Sequence, residues 1–342
     1  MTKVRAWAAD GPKAEFRPFQ YELPPLAADE VDIDVEYCGV CHSDLSMWLN
    51  EWRRTQYPFV GGHEAVGRVR ALGTEVPGLS LGQKVGLGWI SRSHIGSHEC
   101  LAGAHHLSPG NEATIVGRHG GFADIVRCQW VWAVPLPDDL DIAVAGPLFC
   151  GGITVFSPIA EFGVRPTDRV GVVGIGGLGH LAIKFLSKWG CEVTAFTSSP
   201  DKAAEAKAMG AHHVVSSRDS SEWKGLRGRF DFIIVAVAAS LEWSRLMGTL
   251  APKGRLHIVG AVEEPVIMPV SSMMGAQRSL SASPVGAPAT MAKMLEFCAR
   301  HGITPQTEEF PMSDINAAMA HLESGKARYR VVLKSDFERG RA

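Results

Sequence analysis

The stretch Val170-Gly-Val-Val-Gly-Ile-Gly-Gly-Leu-Gly179 constrains this chain more than any other. A short apolar run ends in glycine, and Leu178, Leu181, Ala182, Phe185, Leu186 and Trp189 then recur at helical spacing. Gly174, Gly176 and Gly179 match G-x-G-x-x-G, in which each glycine has a separate physical reason. The first permits a tight turn, the second lets the backbone approach a pyrophosphate, and the third lets helix pack closely on strand. The helix start, with Gly177 and Leu178 inside the loop, adds N–H donors and the positive end of a dipole. A glycine-rich turn alone also occurs in chains that bind no nucleotide. The strand–turn–helix context is what favours a dinucleotide.

That texture continues downstream. The pattern predicts strands over 192–197, 230–237 and 255–260, and helices over 201–209 and 241–250. Strands alternating with helices imply right-handed βαβ units and a parallel sheet buried on both faces. In such folds an acid about twenty residues beyond the glycines holds the ribose 2′-OH of NAD. Here the second strand ends Phe196-Thr-Ser-Ser-Pro-Asp-Lys202. Thr197, Ser198, Ser199 and Lys202 suit a 2′-phosphate, so NADP(H) is favoured. The same residues also read as a helix cap, with Ser199 before Pro200, and the two roles are compatible. Asp201 would have to serve NAD from inside the helix start.

Before about residue 147 the chain has a different character. Val31, Ile33, Val35 and Tyr37 alternate with Asp32, Asp34 and Glu36, the period of a half-buried strand. The tail offers helices over 291–300 and 314–322 and a strand over 329–334. That last strand has no place in a finished doubly wound sheet, so it should return to the first domain and leave the βαβ block as an insertion. At 342 residues the chain suits two domains of roughly 100–200 residues each. The expected division is 1–150 with 288–342, and 151–287.

A net charge of −2 with no basic stretch argues against nucleic acid. No apolar run approaches the ~18 residues of a membrane helix. The start MTKVRAWAADGPK carries no charged-then-apolar leader, and seven scattered cysteines form no disulfide framework. The expectation is a cytoplasmic protein whose cysteines serve as core, metal or catalytic residues. Cys38 and Cys41 make a lone Cys-x-x-Cys. Because Cys38 sits on the first predicted strand, it reads as buried and inert.

The phrases GVCHSDL, YPFVGGHEAVGRV, GGFADIV, PLFCGGITVFSP, GVVGIGGLGHLAIKF and ARYRVVL run from residue 39 to residue 333. They resemble the zinc-dependent alcohol dehydrogenases of the medium-chain dehydrogenase/reductase superfamily, most closely the cinnamyl alcohol dehydrogenase group. The resemblance implies a GroES-like catalytic domain, partly β-barrel in form, interrupted by a Rossmann domain. It implies one catalytic zinc held by Cys41, His63 and Cys150. Two thiolates and an imidazole suit zinc's softness, and three protein ligands leave the open position that a catalytic site needs. By the same resemblance Glu64 lies behind the metal and can exchange in as a ligand, and Asp44 hydrogen-bonds the far nitrogen of His63. Ser43 takes the alcohol proton. His42, Thr154, Gly260 and Ser283 join the glycine loop in holding the cofactor.

Two positions depart from the family pattern. A relay histidine is replaced by Ser46, so proton release must use His42 or water. The lobe that usually carries four cysteines has His94, Ser97, Cys100 and Ser108 instead. Histidines 94, 98, 105 and 106 offer a mixed-ligand alternative; the simpler expectation is a lobe without structural zinc. The implied activity is hydride transfer between NADP(H) and primary alcohols or aldehydes, aromatic or medium-chain. Trp48, Leu49, Trp52 and Trp89 are candidates for an apolar pocket as well as for core. A zinc-free reductase is opposed by the ligand set. A non-catalytic NADP-binding protein or redox sensor is the remaining alternative. By analogy the chain should form a homodimer, with a strand near 266–270 taking part.

Overall fold

A computed structural model describes residues 1–219 and 221–338. The chain divides into two compact units, Met1–Ile153 with Gly286–Ala342, and Thr154–Val285.

In the first unit a seven-stranded sheet is centred on the strand Glu30–Val40. This strand is flanked antiparallel by Glu64–Leu72 and by the last strand, Arg330–Lys334, and it also pairs with Ile125–Gln129. The tail therefore closes the sheet that the N-terminal residues begin. Val31, Ile33, Val35 and Cys38 are buried along the central strand. Asp32 breaks the expected alternation: it too is buried, and Arg127 on the neighbouring strand donates to it from Nε at 2.6 Å. An outward-facing carboxylate was expected there. A cross-strand guanidinium supplies the partner that lets it go inside.

The pairing register sets up the chemistry. Gly39 lies opposite Glu64, and Val40 lies opposite Val331, so Cys41, His63 and Arg330 all fall within a residue of these pairs. A Cβ on Gly39 would lie 2.0 Å from Glu64 Oε2. Only glycine leaves room for that carboxylate.

The second unit is a six-stranded, wholly parallel sheet. Its order is His213–Ser216, Glu192–Thr197, Arg169–Val173, Phe230–Val235, Leu250–Ile258, Ser279–Ala282. Numbered along the chain this is 3-2-1-4-5-6, the dinucleotide-binding order with its crevice beside the first strand. Val170, Val172, Val193, Ala195, Ile233 and Ile234 are fully buried, as both-face coverage requires. The helix Gly179–Trp189 buries Leu181, Ala182, Phe185 and Leu186 against the sheet and stops at Gly190, whose φ of 108° is open to glycine. Burial of each large apolar side chain contributes about 1.5–3 kcal/mol.

Four differences from the sequence pattern have simple causes. The strands His213–Ser216 and Ser279–Ala282 are edge strands of four residues, too short and too exposed to give a periodic signal. No strand forms over 266–270; the sheet edge is Ser279–Ala282. The fifth strand starts at Leu250 rather than 255, through a register shift between Phe230 and Phe232 on its neighbour. The second helix begins at Lys202, because Ser199–Asp201 form a turn that delivers it. No single helix among the described residues is long and apolar enough to cross a membrane.

Candidate functional site

Cys41 ends the central strand of the first unit and starts the helix His42–Leu49. His63 and Glu64 enter the next strand, and Cys150 closes the 3-10 turn Gly146–Phe149. Ligand atoms of Cys41, His63, Glu64 and Cys150 lie within 4.8 Å of one another, and all four side chains are buried. Cys41 Sγ and Cys150 Sγ are 3.8 Å apart, and His63 Nε2 is 3.2 Å from Cys150 Sγ. A tetrahedral ion with Zn–S bonds of ~2.3 Å needs sulfurs about 3.8 Å apart. The residues present fit zinc.

Asp44, in the first turn of the same helix, organises the surroundings. Its Oδ2 accepts from Cys41 N at 2.9 Å, and its Oδ1 accepts from Gly62 N at 2.7 Å. Oδ1 also lies 3.1 Å from His63 Nδ1. With Nδ1–H donating to the carboxylate, the Nε2 lone pair is turned towards the two sulfurs. The charge arrangement follows. A hydrogen bond from Cys150 holds the Cys41 thiol well below its usual range despite burial, helped by Arg330 and His63. Cys150, as the donor to Cys41, is raised well above its usual range, and burial adds to that. A divalent cation there would favour the thiolate form of both cysteines. Burial alone would depress His63, but the Asp44 charge and hydrogen bond, with Cys41, raise it. Cys38, on the strand behind, is raised by burial and by the nearby Asp44 charge, which disfavours a reactive thiolate.

Arg330 is the residue that sequence reasoning missed. Its Nη2 donates to Glu64 Oε1 in a fully buried ion pair. Burial pushes the Glu64 carboxyl up to about 7, with the Arg330 charge opposing. Glu64 Oε2 has no hydrogen-bond partner. A carboxylate held on one oxygen, with the other turned loose beside the donor cluster, is arranged to approach a cation there. The signal was present, since Arg330 lies inside the ARYRVVL phrase, but nothing local marks it.

Ser43 is half-buried and His42 exposed at the helix start. Trp48 is core: its indole donates to Ala14 O at 2.7 Å and its ring stacks on Phe16. Trp89 instead meets the His63 ring edge to face at 5.1 Å, and Trp52 meets Trp89 in the same way at 6.0 Å. Both are half-buried, so an aromatic wall leads outward from the cluster.

In the cysteine-poor lobe, Ser97 caps the short helix His98–Leu101 by accepting from Cys100 N. Ser97 Oγ and Ser108 Oγ are 2.9 Å apart. Cys100 is buried, while His94 and His98 are exposed. Among the described residues, the four-residue cluster is the one place where three or more potential ligands converge.

The glycine loop belongs to the second unit. Gly174 has φ +91°, and a Cβ there would lie 2.2 Å from Val237. A Cβ on Gly179 would lie 1.8 Å from Gly174 O, whereas one on Gly176 would meet nothing within 4 Å. The first and third glycines are thus required by packing, and the second leaves open space. Lys202 Nζ donates to Ile175 O at 2.8 Å, so an ammonium sits over the loop. Thr197 is buried and bonded to Ser199 backbone, while Ser198 is exposed. Gly177 and Leu178 are half-buried in the loop, and Thr154 is buried on the helix Gly151–Glu161. Gly260 and Ser283 line one cavity of about 430 Å³ at the carboxyl ends of the last two strands.

Comparison with known proteins agrees with this architecture. Residues 27–138 match the alcohol dehydrogenase GroES-like domain, and residues 177–300 match the zinc-binding dehydrogenase family. The chain is 52% identical over 330 residues to aldehyde reductase AdhA of Synechocystis sp., covering 96% of this chain and 98% of that one. A cinnamyl alcohol dehydrogenase structure from Sorghum bicolor superposes with a TM-score of 0.93 at 32% identity, covering 99% of this chain and 100% of that one. A Helicobacter pylori cinnamyl alcohol dehydrogenase structure complexed with NADP(H) gives 0.89 at 26% identity, covering 97% and 98%. With a buried two-cysteine, one-histidine cluster in one unit and a glycine loop on a 3-2-1-4-5-6 sheet in the other, the chain belongs to the zinc-dependent alcohol dehydrogenases of the medium-chain dehydrogenase/reductase superfamily.

Proposed function

We propose that this protein is an NADP(H)-dependent zinc alcohol dehydrogenase that interconverts primary alcohols and aldehydes, aromatic or medium-chain. The observation that carries the reading is the convergence of Cys41, His63, Cys150 and Glu64 in a buried site. Cys41, His63 and Cys150 would hold the ion, which supplies Lewis acidity to a substrate oxygen. Asp44 keeps His63 in the ligating tautomer, and Arg330 holds Glu64 in reserve beside the donors. Ser43 Oγ would carry the substrate proton. With Ser46 buried where a relay histidine is usual, that proton leaves through His42 or water.

Gly174, Gly176, Gly177, Leu178 and Gly179 present backbone N–H groups to a pyrophosphate, and Gly260 and Ser283 line the neighbouring cavity. Thr197, Ser198, Ser199 and Lys202 favour a 2′-phosphate, and the NADP(H) complex of the Helicobacter pylori neighbour points the same way. Trp52 and Trp89 offer a planar aldehyde an edge-and-face surface, and the names of the relatives, aldehyde reductase and cinnamyl alcohol dehydrogenase, fit that choice. All seven cysteines are free and buried, which suits the cytoplasm. The edge strand Ser279–Ala282 exposes Leu280, and Ile267, Val270 and Met274 in the segment before it are exposed as well, which suits a homodimer.

The test is oxidation of NADPH against NADH with cinnamaldehyde, benzaldehyde and a short aliphatic aldehyde, beside a zinc count. One zinc per chain with NADPH-dependent reduction is expected. A zinc-loaded protein that turns over none of the aldehydes would overturn the proposal.

A further inference from the structure

The second unit contains a cavity of about 570 Å³ that neither the glycine loop nor the donor cluster explains. Its walls include Arg227, Arg245, Arg278, Thr249, Ser271 and Ser272. Thr249 immediately precedes the strand Leu250–Ile258, and Arg278 immediately precedes Ser279–Ala282. The cavity thus lies at the amino ends of these parallel strands. Gly174 follows the carboxyl end of Arg169–Val173, so the dinucleotide loop is at the other end of the same sheet.

The charge balance of this cavity is unusual. Three arginines line it, and no aspartate or glutamate does among the described residues. Arg245 pairs with exposed Glu242 at 3.0 Å and lies over the Trp223 ring. Arg278 donates from Nη1 to Ser272 O at 3.2 Å, while its Nε is buried without an acceptor. Arg227 is exposed on the cavity wall. Guanidinium groups gathered in one concavity repel one another and focus a positive potential into it. An anion relieves the repulsion and can accept from the exposed guanidinium of Arg227. The planar guanidinium fork matches a phosphoryl group by paired hydrogen bonds. Ser271 adds a hydroxyl to the wall, whereas those of Thr249 and Ser272 donate to Leu246 O and Pro269 O, and the volume suits a small ligand.

We infer that this cavity is a second anion site, for a small molecule bearing one or two phosphoryl groups, separate from the dinucleotide site. Inorganic pyrophosphate titrated calorimetrically into the full-length protein, saturated with NADP+ and held at constant ionic strength with chloride, tests it. One saturable site per chain is expected. The double variant Arg227→Gln/Arg278→Gln should weaken that binding by more than about tenfold without changing the affinity for NADP+. Arg227→Gln alone, on an exposed residue that no core depends on, should also weaken it. Heats that never saturate, or equal affinity in both variants, would overturn the inference. The comparison reads the cavity whether or not the chain reduces aldehydes.

Discussion

Two regions of the first unit look alike in composition and behave oppositely. Cys41, the adjacent His63 and Glu64, and Cys150 come from three separate places in the chain and meet in one buried cluster. The lobe between His94 and Ser108 packs four histidines and one cysteine into fifteen residues, yet no three ligand atoms converge there. Density of ligand-type residues along the chain is therefore a poor guide to a metal site. What matters is whether the pairing of strands brings donors to one point and whether buried charge there has a partner. In the lobe, hydroxyls stand where thiolates are usual. Ser97 and Ser108 bond each other, and Ser97 caps the helix that carries Cys100. These neutral hydrogen bonds tie the short helix to Ser108.

The sharpest way to break this contrast is to remove one sulfur from each region. Cys150→Ser should cut aldehyde reduction by more than ~100-fold and lower the zinc count, because a direct ligand matters more than its supports. Cys100→Ser should leave both nearly unchanged. Equal losses in the two variants would mean that the lobe is a metal site after all. Next in size is Arg330→Met, which strands Glu64 in the core. Loss of one partner from a buried pair costs about 3–5 kcal/mol, readable as a lower urea midpoint. Adding Glu64→Gln should recover much of that loss.

Buried histidines sharpen the comparison further. His63 is raised because Asp44 and Cys41 outweigh burial. His257 is also fully buried, but its neighbours are the Ser281 and Ser283 hydroxyls, each at 2.9 Å, and burial lowers it to about 4. Below its ordinary 6.5 the unfolded chain takes up a proton that folded His257 refuses, so stability falls as the pH drops from 6.5 towards 4. The loss should reach about 2 kcal/mol by about pH 5, and it should be missing in His257→Leu when urea unfolding is followed at both pH values. Smallest is Ser97→Ala, which removes the helix cap and the bond to Ser108. It should cost about 1 kcal/mol in thermal unfolding, with no change in metal content.

Much of the second unit was legible in the chain. Glycine at 179 is demanded by a contact within the loop and glycine at 174 by its positive φ, although the clash with Val237 is a tertiary one; helix and strand periods are local as well. Edge strands were not legible, because four residues with one exposed side carry no period. The donor cluster was legible only through its resemblance to known enzymes; Cys38 and Cys41 stand three apart in the chain, but only Cys41 reaches the cluster. Asp32 was misjudged because alternation says nothing of an arginine ninety-five residues away.

By itself the sequence determined the parallel nucleotide fold, the place of its turn and the residue types able to hold a soft divalent ion. These depend on backbone geometry and chemistry within a few residues. Only the tertiary structure decided that Arg330 partners Glu64 across 266 positions, that Trp48 is core while Trp89 faces His63, and that three arginines share one cavity. Those outcomes depend on strand register and on which charges are buried together, and no local pattern encodes either.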